Sequence, residues 1–145
     1  MELIIGGAYN SKLNFVLKYY NLKQKDFQNG AECSLDEAFD KKGIYNLHLL
    51  IKRFILSGID DYNNIIEKIL SSNIEIIICS EVGNGVVPVD KIDNKMREYV
   101  GRILSILSEK SVRVIRIYYG IPSVIKGMDI WKLFILFVMV RQNIM

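Results

Sequence analysis

The chain has 145 residues, half of them hydrophobic and 24% charged, with a net charge of +3 at pH 7. That length supports one domain with a single core, and the composition is that of a soluble globular protein. So small a positive charge, with no basic run, excludes an electrostatic case for nucleic-acid binding. Cys33 and Cys79 form no CxxC or Cys/His ligand spacing, so no metal site is indicated. With no signal segment, the expected setting is the reduced cytoplasm. Cys79 lies in the apolar run Ile76-Ile77-Ile78-Cys79 and reads as a core filler.

In chain order, residues 2–5 are a short apolar run, a buried strand that ends at Gly6-Gly7. Leu13, Val16, Leu17 and Tyr20 recur at helical spacing and predict a helix over 11–20. Residues 21–34 are polar and turn-like, with Asn29-Gly30 marking a break. Ser34 followed by Glu37 has the pattern of a capping box, which predicts a short helix up to residue 40. Ile44 to Ile55 could open as a strand, whereas Leu47, Leu50, Ile51 and Phe54 are spaced for a helix. Tyr62, Ile65, Ile66, Ile69 and Leu70 predict an amphipathic helix over 60–72. Residues 74–79 are the clearest strand, residues 90–110 a long helix capped by Asp90, and the alternating residues 112–119 a further strand. Strands alternating with helices imply an α/β fold with an at least partly parallel sheet, whose ligands bind where strands end and helices begin.

Two turns fall at that kind of edge. The first, Gly6-Gly7-Ala8-Tyr9-Asn10-Ser11-Lys12-Leu13, approaches the phosphate-binding pattern of Gly, four residues, then Gly-Lys-Ser/Thr. Glycines there let backbone N–H groups face an anion, and Lys12 would reach the terminal phosphates. Ser11 adds a Cβ where the backbone must approach closely, and Leu13 removes the hydroxyl that would hold a metal. A plain strand-to-helix turn would use the same glycines. The second turn, Ser80-Glu81-Val82-Gly83-Asn84-Gly85-Val86-Val87-Pro88, sets Glu81 directly after a buried strand, where an acid is more often functional than on a helix face. Arg97, Glu98 and Arg102 have the spacing of a solvated helix face with i,i+4 pairs.

Residues 81–88, followed by Arg97-Glu98, Gly101-Arg102 and Gly120-Ile121-Pro122, resemble the bifunctional adenosylcobinamide kinase/adenosylcobinamide-phosphate guanylyltransferases of cobalamin synthesis. That family has an EVGxGIVP turn, a long helix with the same Arg-acid and Gly-Arg pairs, and a strand ending in GIP. Gly6-Gly7-Ala8 with Lys12 is similar to its GGAxSGKS loop, and Glu32 to its nucleotide-contacting acid. The match covers residues 74–126 closely and the N-terminal part partially. It implies an α/β, RecA-like P-loop three-layer sandwich with a mainly parallel sheet, lacking part of the usual N-terminal half and assembled as a trimer. It implies GTP or ATP with Mg²⁺, and a corrinoid substrate that is first phosphorylated and then guanylylated through a histidine. Lys12 and Glu81 would be the catalytic residues, with Gly6, Gly7, Ala8, Tyr9, Asn10, Ser11, Lys12, Leu13 and Glu32 around the nucleotide.

The chain departs from the pattern at Ser11 and Leu13, and it lacks the segment with the guanylylated histidine, which should lie between residues 20 and 30. The family's acid and Cys-x-Thr are replaced by Tyr45-Asn46-Leu47-His48-Leu49, and its Asn-Gln pair by Leu104-Ser105. His48, the only histidine, corresponds to the central strand rather than to the missing helix, and reads as a core or boundary residue. These losses weigh against guanylyltransfer and leave a second reading, a non-catalytic binding or assembly protein. Residues 1–126 form the expected P-loop domain and 127–145 an apolar extension. The run Leu133 to Val140 is eight residues long, against the ~20 that would span a bilayer; it reads as an extra edge element or a subunit contact, or else as an unselected extension.

Overall fold

Every residue of Ile76–Ser80 is buried, which is the mark of a strand covered on both faces. The computed structural model describes residues 1–7, 12–82, 90–127 and 138–143. Its elements are β1 (Glu2–Gly6), α1 (Lys12–Tyr19), β2 (Phe27–Asn29), β3 (Gly43–Tyr45), α2 (Leu47–Leu56), α3 (Tyr62–Leu70), β4 (Ile76–Ser80), α4 (Lys91–Lys110), β5 (Arg113–Tyr118) and β6 (Ile121–Lys126). They build a six-stranded sheet of order β2-β3-β4-β1-β5-β6. The first five strands are parallel, and β6 returns antiparallel along β5. The protein is therefore α/β, with a mostly parallel sheet.

Strand alternation sorts the core into two faces. Leu3, Ile77, Cys79 and Val114 pack against Leu50, Ile65, Ile69, Val100, Ile103 and Leu107 of α2, α3 and α4. Ile4, Ile76, Ile78, Ile115 and Ile117 pack against Phe15 and Val16 of α1. Each such Ile or Leu contributes about 1.5–3 kcal/mol by leaving water, so the two central strands are the best anchored. Asp90 caps α4 as expected, accepting from the Ile92 N–H at 2.8 Å, and Asp61 caps α3 in the same way. The stretch from Ile44 combines both expectations, a short strand and then a helix. Asn46, with φ 57°, makes the turn between them.

Two expectations are corrected and one strand is added. Residues 34–40 form successive turns rather than a helix: Glu37 donates to the Ser34 carbonyl and Asp40 to the Glu37 carbonyl, both at 3.2 Å. A segment so short gains too few bonds to offset helix nucleation. The turn-like stretch 21–34 contains β2, an edge strand too short to show a periodicity. Residues beyond Gly120 form β6, turned back by positive φ at Tyr119 and Gly120.

β6 ends at Lys126, and most of the apolar extension lies outside the described residues; residues 138–143 are helical. Among the described residues no helix is long and apolar enough to cross a membrane.

Candidate functional site at the carboxyl ends of β1 and β4

β1 and β4 are neighbours, yet the helices that follow them pack on opposite faces of the sheet: α1 on one, α4 on the other. The carboxyl edge between β1 and β4 is therefore the point where the covering helices change sides, and open α/β sheets bind ligands in the crevice at such a point. The described parts of both turns, Gly6-Gly7 and Ser80-Glu81-Val82, begin at that edge. Gly6 is required by close approach, because a Cβ there would meet the Ile117 carbonyl oxygen of β5 and stand 3.4 Å from Lys12 Cδ. The missing side chain lets the stem of Lys12 cross the end of β1.

Lys12, the first residue of α1, is only 7% exposed. Its Nζ donates to the Gly7 carbonyl at 2.7 Å. Burial pushes the ammonium below the usual lysine range, and the nearby Cys79 and Glu81 oppose that shift. Glu81 is tied to the crevice twice. Its N–H donates to the Gly6 carbonyl at 2.7 Å, and its carboxylate accepts from Arg116 Nη2 at 2.7 Å. That Arg116 nitrogen also donates to the Tyr118 hydroxyl at 3.1 Å, with the guanidinium 4.7 Å from the ring centre. Arg116 Nε is buried and has no hydrogen-bond partner among the described residues.

His48 sits in the first turn of α2 rather than in a strand, because the left-handed Asn46 ends β3 early. Its Nδ1 accepts from the Ser80 N–H at 3.4 Å. Burial first, and then the charge of Lys12, push its pKa down to about 4. It is therefore neutral at pH 7, with the proton on Nε2. Cys79 is fully buried and its thiol is pushed up to about 12 by burial, which makes it the inert core filler its sequence context indicates.

The structure thus gathers Gly6, Gly7, Lys12 and Glu81 at one place. It does not gather Glu32, which is exposed on the turn after β2, its N–H on the Asn29 carbonyl at 3.1 Å. β2 lies three strands from β1, roughly 14 Å at the usual strand spacing. Ala8, Tyr9, Asn10 and Ser11 lie outside the described residues, and Leu13 is partly buried against the α1-side core. Glu98 and Arg102 form the expected exposed i,i+4 pair at 3.2 Å.

Arg116 is the residue that sequence reasoning passed over. Its signal was an arginine near the carboxyl end of a β-branched strand, where most neighbours are apolar.

Magnesium, which the family resemblance implies, does not fit the described residues. Leu13 offers hydrocarbon where a hydroxyl would ligate, and Arg116 occupies the Glu81 carboxylate. Among the described residues no group of three His, Cys, Asp or Glu could hold a metal ion. Comparison with protein-family models and with curated proteins finds no match to this chain.

Proposed function

We propose that the β1–β4 crevice binds the phosphates of a nucleoside triphosphate, GTP or ATP, and that the protein is a shortened relative of the adenosylcobinamide kinase/guanylyltransferases, of RecA-like P-loop fold and trimeric. The observation that carries this is that Arg116, paired with Glu81, and Lys12, close enough to feel the same carboxylate, share the carboxyl edge of the sheet. Two cations there would neutralise the charge that spreads over a transferring phosphoryl group, the main requirement of such a reaction. The resemblance over residues 74–126 makes adenosylcobinamide, through its aminopropanol hydroxyl, the acceptor. Phosphorylation is favoured over guanylyltransfer because the segment that carries the family's acceptor histidine is missing.

A second reading, a non-catalytic binding or assembly protein, draws on the engagement of Lys12 Nζ by the Gly7 carbonyl and on Leu13. Titration calorimetry with ATP and GTP, with and without Mg²⁺, separates the two. Binding by the wild type and its loss in Lys12→Ala are expected. No heat at millimolar nucleotide in either protein, with a melting temperature that ignores GTP, would establish the second reading instead. A ligand at a hundred times its dissociation constant adds about 2.7 kcal/mol to native stability, so bound nucleotide raises that temperature visibly.

A further inference from the structure

The cationic groups of this crevice are already engaged by acceptors of the protein itself. Arg116 comes from β5 and Glu81 from the chain leaving β4, so their 2.7 Å ion pair reaches across the end of β1. Its two side chains are 36% and 18% exposed, and the charge of Lys12 also acts on the same carboxylate. Lys12 Nζ is held by a backbone carbonyl, and Arg116 has a buried N–H donor, Nε, with no partner among the described residues. A carboxylate presents two oxygens to a guanidinium much as a phosphate does, but it carries less charge and fewer acceptor oxygens.

We infer that Glu81 is an internal competitor: its carboxylate fills the oxyanion position formed by Arg116 and Lys12, and a phosphate group binds by displacing it. The inference rests on the phosphate-binding reading above and adds to it a named second cation, Arg116, and a built-in rival for the ligand. Displacement is physically reasonable because Glu81 is the first residue beyond β4. Its carboxylate can swing outward while its backbone N–H stays on the Gly6 carbonyl. Arg116, fixed within β5, keeps its position and exchanges one oxyanion for another. The ligand chemistry is a terminal phosphate, which a nucleotide or a free polyphosphate could supply.

The test is titration calorimetry of ATP, GTP and inorganic tripolyphosphate into the full chain, as wild type, Glu81→Gln, Arg116→Gln and the double variant. Glu81→Gln should bind phosphate about tenfold more tightly than wild type, and Arg116→Gln about tenfold more weakly. The gain from Glu81→Gln should vanish in the double variant. Equal tightening for all three ligands identifies the phosphate as the recognised group; tightening for the nucleotides alone adds a base or ribose contact. Melting temperature supplies a second readout. Glu81→Gln should melt lower than wild type without ligand, since Arg116 loses its ion pair, and recover with tripolyphosphate. If wild type binds and Glu81→Gln binds equally or less tightly while folded, the competitor role is wrong and the phosphate-binding reading stands. If neither protein binds any phosphate, both fall. Should Arg116→Gln not fold, Arg116→Lys keeps the charge but loses the fork, and its weaker binding decides the same point.

Discussion

The two ends of the sheet carry the same chemical pair in different settings. At the amino end Arg113 of β5 meets Glu2 of β1 at 2.6 Å, and the two residues are direct partners in the strand register. At the carboxyl end Arg116 meets Glu81 at 2.7 Å, but its register partner is Ile5, and the acid arrives from beyond β4. The first pair is locked by two strands that cannot move separately, with Tyr20 packed beside it. The second joins a strand to the first residue of a departing loop. Both arginines bury an Nε without a partner among the described residues, so that shared feature cannot distinguish them. What differs is whether the carboxylate can leave. An arginine held by a strand neighbour is a staple, whereas one held by a loop residue can exchange its partner.

Four measurements would break or sharpen this contrast, beginning with the largest effect. Gly6→Ala forces a Cβ onto the Ile117 carbonyl between β1 and β5 and should cost about 3 kcal/mol in urea unfolding. A loss below about 1 kcal/mol would mean that the carboxyl edge yields easily. Arg113→Met should come next, at about 2 kcal/mol, because Glu2 is left unpaired with its side chain 18% exposed. Arg116→Met should cost about half as much, since its partner can turn to water and its own side chain is more exposed. Equal losses at both ends would remove the distinction between staple and exchangeable pair.

The third measurement concerns acid. The His48 pKa is lowered from the ordinary 6.5 to about 4, so the fold favours the neutral imidazole. Its contribution is complete above about pH 6.5 and is lost as pH falls from there toward 4, since the unfolded chain then binds the proton first. Discounted for its partial exposure to solvent, the loss is about 1 kcal/mol. His48→Gln should flatten stability across that window, while Arg113→Met should leave the slope unchanged. The same slope in wild type and His48→Gln would show that the carboxyl edge is less desolvated than the geometry implies. Smallest is a control away from both ends. Gly101→Ala on the exposed side of α4 meets nothing within 4 Å and should stabilise by about 0.5–1 kcal/mol.

Much of the layout was legible in the residues. The unbroken run Ile76-Ile77-Ile78-Cys79 reads as a strand buried on both faces because no polar side appears. Asp90 and the apolar spacing of α4 place that helix to within a residue. The two turns are read as lying at a ligand-binding edge because each follows such a strand. The short elements were not legible. Three-residue strands such as β2 have no period to detect, and the Ser34–Glu37 pattern satisfies a local capping rule that no following helix uses. β6 was hidden because Pro122 and the exposed Ile121 and Ile125 interrupt the usual alternation of an inward-facing strand.

Sequence alone determined, through the alternating run 112–119, a strand on which residues three apart face opposite sides of the sheet, though its two arginines were not singled out. It determined also that a glycine turn and a lysine follow one strand and an acid follows another. Which carboxylate each arginine meets was decided only by tertiary structure. The insertion of β4 between β3 and β1 brings Glu81 beside the end of β1, although that acid lies far along the chain. Strand order is set by which faces bury together and which helices cover them, and no local pattern of residues encodes it. The sequence sets Lys12 just after β1; only the fold brings Glu81 near it and pairs that acid with Arg116.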